Sequence, residues 1–220
     1  MATRHLLTDL ASTFSAHSPD VVVEVVSMGG VEAAKRVAAG DPFDGVVLAS
    51  GAIDTLIGEG HLVAGSRVDL VRSSMAVAIR RGAPPPSIGS EDAVREAVLA
   101  ARRVGYSTGP SGDHLMALFD RWGIAATMRE RLVQARPGIP VASLVAGGEA
   151  DLGFQQLSEL MNVEGVDVVG LLPDDIQGTT IFAGGLAPVS TQAARVRELL
   201  AFFASPSVSE IKRRHGMEPC

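Results

Sequence analysis

Cysteine is almost missing from this chain of 220 residues: the single one, Cys220, is the last residue. No internal disulfide can form, and a lone terminal thiol with no base beside it in sequence reads as a mobile end group. Aromatic residues are only 4% of the chain, and no basic stripe runs through it; the formal net charge is -6. The stacking platforms and cationic grooves that nucleic acids require are therefore not expected. The five histidines, at positions 5, 17, 61, 114 and 215, lack the paired spacing of metal ligands, so neither a metal nor a cofactor is expected. No apolar run reaches the roughly 18 residues of a membrane-spanning helix, and no G-x-S-x-G elbow of a serine hydrolase is present. Residues Met1 to Leu10 also lack the apolar stretch and cleavage site of a signal peptide. The expectation is a cytoplasmic chain as written, or a periplasmic or otherwise exported one if its true start lies upstream of Met1.

What is present is an aliphatic chain, 46% hydrophobic, in which strand and helix patterns alternate. Leu7, Leu10, Ala11 and Phe14 mark one helical face, and Val21–Val26 (VVVEVV) reads as a buried strand. Gly45–Ala49, Val68–Leu70, Met75–Ile79, Val104–Ser107, Ala150–Gln155 and Val166–Leu172 read as further strands. Helical faces lie between them, one of them capped by Ser90 and one stopped by Gly123. The run Arg81-Gly-Ala-Pro-Pro-Pro86 is the stiffest punctuation, and the sequence predicts the first crossing between two lobes there. Lobe I is then expected over residues 1–82 and 178–220, and lobe II over 83–177.

Small hydroxyl and glycine residues cluster where strands give way to helices: Ser27-Met-Gly-Gly30, Ala49-Ser-Gly51 and Ser107-Thr-Gly-Pro-Ser-Gly112. Helix starts offer unsatisfied N–H donors, and ligands of parallel sheets bind beyond the carboxyl ends of strands. Three such clusters point to a small anion, although Ser50 and Ser111 can equally serve as plain N-caps.

Tyr106-Ser-Thr-Gly-Pro-Ser-Gly112 followed by Leu118-Phe-Asp-Arg-Trp-Gly-Ile124 resembles the second-lobe ligand loop and helix of type II periplasmic binding proteins, nearest the molybdate-binding-protein-like group. Ala38-Ala-Gly-Asp41 with Asp44–Ala49, Gly148–Gln155, and Leu199–Pro206 with His215–Pro219 fit the same order, so the resemblance spans nearly the whole chain. It implies an α/β fold of two lobes, each a mainly parallel sheet with helices on both faces, closing on a solute in the cleft between them. It implies ligand contacts from Thr3, Arg4, Ser27, Met28, Gly29, Gly30 and Ser50 on lobe I. On lobe II it implies Ser107, Thr108, Gly109, Ser111, Gly112, the Pro137–Val141 turn, Gln155 and Gln156. Two departures from the group stand out. Met1-Ala-Thr-Arg4 matches the loop that normally follows a first strand, and Gln155-Gln156 stands where molybdate binders present a tyrosine. Together with Arg4, able to bond a carboxylate bidentately, the glutamines shift the expected ligand toward an organic acid.

The leading expectation is a binding protein for a small oxyanion or carboxylate, with an ABC-type permease as the partner that the resemblance implies, or an intracellular sensor. The alternative is an isomerase of a small unsaturated di- or tricarboxylate, of the aconitate-isomerase kind, which needs a base near an activated C–H. His114 and Glu149 are the candidates for that base, with Asp151 beside them.

Overall fold

In the computed structural model, residues 2–136 and 138–220 are described; the expectations that fall on Met1 and Pro137 lie outside them. Along the chain come α1 (Arg4–His17), α2 (Gly30–Ala38), β1 (Gly45–Ala49), α3 (Ser50–Gly58) and the long β2 (Val68–Arg80). Then follow α4 (Glu91–Ala100), β3 (Val104–Tyr106), α5 (Pro110–Arg121), α6 (Ala125–Met128), β4 (Leu132–Gln134), α7 (Val141–Ala146), β5 (Leu152–Gln156) and α8 (Leu157–Leu160). The last elements are β6 (Val166–Leu171), β7 (Thr179–Leu186), α9 (Ala193–Ala204), α10 (Ser209–Arg214) and β8 (Glu218–Pro219).

The chain divides into two compact units, unit 1 from residues 1–73 and 180–220 and unit 2 from 74–179. Both crossings therefore fall at or within strands, β2 and the start of β7, and the Arg81–Pro86 segment lies inside unit 2. Strand β2 ends after Arg80 in a turn closed by the Ala83 N–H on the Arg80 carbonyl at 3.0 Å, with Gly82 at φ +77°. The two runs expected as separate strands, 68–70 and 75–79, are one strand: Val71 and Arg72 pair with β8, and Met75 to Arg80 pair with β5 and β6.

Unit 2 builds a mixed sheet covered on both faces. Strands β4, β3 and β5 are parallel, with Tyr106 opposite both Gln134 and Phe154, while β5 and β6 run antiparallel to β2. Alternation along the strands sends successive side chains to opposite faces. Val77, Ile79, Val104, Leu152 and Phe154 meet Val94 and Val98 of α4 and Leu115, Leu118 and Phe119 of α5. Ala76 and Ala78 meet Val141, Leu144 and Val145 of α7 and Leu160 of α8. Strand β4 and helix α6 were not foreseen, since three and four residues are too few for a periodic signal. Helix α4 starts as expected, with Ser90 Oγ accepting from the Ala93 N–H at 3.2 Å, and Gly123 ends α5 with φ +67°.

In unit 1, β1 pairs antiparallel with β7, which lies beside β2. Its two faces are covered by α1 and α9 on one side (Leu6, Leu10, Phe14, Phe203) and by α2 and α3 on the other (Val37, Ile53, Leu56). The strand expected at Val21–Val26 is not there. Its side chains alternate, Val21, Val23 and Val25 packing against the α1 cluster, while Val22 is 92% and Val26 52% exposed. Period-2 patterning sets which face a residue takes, but a strand also needs a neighbour to bond. Among the described residues β1 is paired by β7 alone, and no ladder reaches 21–26.

Candidate anion-binding loops

In unit 2 the parallel register brings the ends of β3, β4 and β5 to one level, so Ser107 and Gln155 leave the sheet at the same end. Ser107 then turns back on itself. Its Oγ lies 2.9 Å from Ser111 Oγ and accepts from the Gly109 N–H at 3.4 Å. The Gly109 carbonyl accepts from the N–H groups of Gly112 and Asp113, at 2.8 and 3.1 Å. The turn is so tight that a Cβ on residue 112 would stand 1.9 Å from the Ser107 carbonyl oxygen; glycine is required there. Ser111 is buried in the first turn of α5, behind Pro110, which has no N–H to satisfy. Neither Ser111 nor Ser50 makes a side-chain cap, so the plain-cap reading does not hold for either. Two hydroxyls joined by one hydrogen bond use one of their two protons and leave the other to be donated elsewhere. Thr108 is exposed on the same loop.

At the end of β5 both glutamines are buried. Gln155 shares a face with Gly153, against Val141 and Val145 of α7, and its Oε1 accepts from the Val141 N–H at 2.8 Å. Gln156 takes the opposite face, as strand alternation requires. Beyond them, Glu159 on α8 receives a hydrogen bond from Gln155, yet burial dominates and holds its carboxyl above the usual carboxylate range. The sequence reading passed over Glu159; its signal was the first acidic residue after a strand end.

The two residues proposed as bases fare differently. His114 Nε2 lies 2.9 Å from the Ile176 carbonyl and donates to it. Its ring rests on Gly178, where a Cβ would stand 2.7 Å from the imidazole. His114 thus fastens the segment before β7. Glu149 is exposed in the turn that precedes β5, at the opposite end of the strand from Gln155. Asp151 lies there too, bound by Arg102 at 2.8 Å, and the guanidinium holds its carboxyl below the usual range. Neither acid accompanies the loops at the carboxyl ends, because the sheet separates the two ends of each strand.

In unit 1, β1 runs directly into α3, placing Ser50, half-buried, at the first helical position. Gly29 and Gly30 open α2, Ser27 is exposed, and Met28 Sδ lies 4.0 Å from Arg36 Nη1. Thr3 is buried at the N-cap of α1, where its carbonyl accepts from the Leu7 N–H at 2.8 Å, and Arg4 is exposed beside it. Among the described residues no cluster of three or more His, Cys, Asp or Glu is placed to hold a metal ion, and no described helix is long and apolar enough to cross a membrane.

A family model described as bacterial extracellular solute-binding protein matches residues 1–218. The chain belongs to that family. Solved structures agree with the type II periplasmic-binding-protein fold. The periplasmic molybdate-binding protein of Azotobacter vinelandii superimposes with a TM-score of 0.80 at 19% identity, over 98% of this chain and 94% of that one. L-phospholactate-bound PEB3, a Campylobacter jejuni protein, gives 0.75 at 16% identity, over 100% of this chain and 96% of that one. At such identities the likeness carries the fold alone. Among curated proteins, the family member is 39% identical to aconitate isomerase of Pseudomonas sp over 198 residues, 88% of this chain and 74% of that enzyme.

Proposed function

We propose that this member of the solute-binding family takes a small organic carboxylate or oxyanion on the loops of unit 2 that follow β3 and β5. The observation that carries the reading is the Ser107–Gly112 loop, locked by Gly112 and presenting a bonded serine pair, half-buried Ser107 with Ser111 buried in the first turn of α5. Helix starts attract anions through their free N–H groups and partial positive charge, and hydroxyls add neutral donors without asking for a counter-cation. The absence of a tyrosine at Gln155 and Gln156 favours a carboxylate over molybdate, since an amide both donates to an anion and accepts from a hydroxyl. A permease of the ABC type is the partner to which such a receptor would deliver its solute. Calorimetry with molybdate, phosphate, citrate and trans-aconitate tests the reading. Ser111→Ala is expected to weaken the tightest of them by about 1–2 kcal/mol. Wild-type protein that binds none of the four overturns it.

A second reading, turnover of an unsaturated tricarboxylate, is favoured by the 39% identity to aconitate isomerase. Proton exchange of cis- and trans-aconitate in heavy water, followed by NMR, separates it from binding alone.

A further inference from the structure

Met75 is the second residue of unit 2 and Gly178 the last but one, and the Gln177 side chain clamps this entry and exit together. Its Oε1 accepts from the Met75 N–H at 2.7 Å, and its Nε2 donates to the carbonyls of Met75 at 3.2 Å and Leu172 at 2.9 Å. The Gly178 carbonyl accepts from the same Met75 N–H at 3.2 Å, and the Leu172 N–H donates to the Met75 carbonyl at 3.1 Å. Both backbone groups of Met75 are thus held by the segment that leaves the unit. Ile176, Leu172 and Met75 are buried in one apolar cluster with Leu115 of α5.

Helix α5 joins this clamp through His114. The histidine stands one turn after Ser111, on the same face of the helix, and its Nε2 donates to the Ile176 carbonyl at 2.9 Å. Its ring occupies the space beside Gly178, where a Cβ would stand 2.7 Å from the imidazole and 2.7 Å from Met75 Sδ. Among the described residues, no other side chain in the first two turns of α5 bonds to an element beyond its own loop. The Ser107–Ser111 pair is therefore one helical turn from the clamp, with one hydrogen bond between them.

We infer that His114 is a positioning residue for the anion loop, holding the first turn of α5, and with it the Ser107–Ser111 pair, against the Met75–Gln177 clamp; this rests on the receptor reading above. Donors already held in place bind an anion more tightly, because less ordering is left to be done on binding. The dependence runs both ways. If the bond improves affinity, the bound anion stabilises the bond by the same factor.

The test uses the full chain and the tightest-binding of molybdate, phosphate, citrate and trans-aconitate. His114→Met keeps the bulk but has no donor, and is expected to raise the calorimetric dissociation constant by about 3–10-fold, the weight of one neutral hydrogen bond. His114→Gln returns an amide N–H near the place of Nε2 and is expected to recover most of that loss. Gly178→Ala, which pushes the ring off its seat while leaving His114 in the chain, is expected to weaken binding as well. In wild type the anion should slow amide hydrogen exchange at Met75 and residues 174–178 by about the same 3–10-fold; in His114→Met it should leave that exchange unchanged. Combined with Ser111→Ala, His114→Met should add less than its separate loss, because both act on one pair of hydroxyls. A merely structural histidine would cost stability and move neither of these two readouts. Wild-type affinity in His114→Met, or losses that simply add, overturns the assignment and leaves the receptor reading standing. Wild type that binds none of the four anions overturns both.

Discussion

Unit 2 lays Val104–Tyr106 between β4 and β5, so that every residue of this short strand is matched on both sides. In unit 1 the run with the stronger strand signature, Val21–Val26, bonds to no ladder and turns Val22 and Val26 to solvent. Three residues of modest propensity become a central strand, and six of high propensity do not. The difference lies in the neighbours. β-Propensity describes how well a side chain suits a pleated, half-buried surface, and it is realised only where a flanking strand offers its N–H and C=O groups. A second contrast lies in the polar interior. Unit 2 buries Gln155 with its carbonyl oxygen satisfied by Val141. Unit 1 buries Lys212 completely, with no bonding partner for its Nζ among the described residues.

The contrast can be broken or sharpened by substitution. The largest effect is expected in the tight loop of unit 2. Gly112→Ala drives a methyl into the Ser107 carbonyl and should cost about 3 kcal/mol in urea unfolding, the upper end for overpacking. Next is Lys212→Met in unit 1, expected to stabilise by about 1–3 kcal/mol, because an unpartnered buried polar group is removed. Burial lowers the lysine from its ordinary 10.5, so between its lowered value and that one the unfolded chain binds more protons than the folded. Wild-type stability should therefore rise with pH across that window, and the Met variant should flatten the rise. At the acid end, Asp151→Asn should remove about 0.5–1 kcal/mol, the scale of an exposed pair. The wild-type contribution is present above the usual Asp value and lost as pH falls through the lowered one, since Arg102 favours the ionised form. The smallest effect belongs to Val22→Ser, expected within about 0.5 kcal/mol. A loss above 1 kcal/mol, roughly twice that bound, would mean that 21–26 is a packed strand after all.

The same contrast explains what was legible in the sequence. Periodicity located β1 to the residue, the face of α4 and its Ser90 cap, because these depend on local patterning and turn chemistry. It misplaced the first crossing at the prolines, since the continuity of β2 depends on partners more than 70 residues away. At the candidate site, Ser107, Ser111 and Gly112 stood out as a cluster and are brought together. Glu149 and His114 were chosen for chemical type and nearness in sequence. Which end of a strand a residue occupies, and whether a carbonyl already holds its ring, are settled by tertiary structure.

Trp122, the one tryptophan of the chain, closes α5 in unit 2 and donates through Nε1 to Glu91 at 2.6 Å, where Arg121 also binds. Intrinsic fluorescence excited at the indole is therefore a local dosimeter of unit 2, while far-ultraviolet dichroism sums over both units. Recording the two signals along one denaturant titration would show coincident curves for a single cooperative transition. Separated midpoints would instead date the loss of each unit in turn, with no label to be attached.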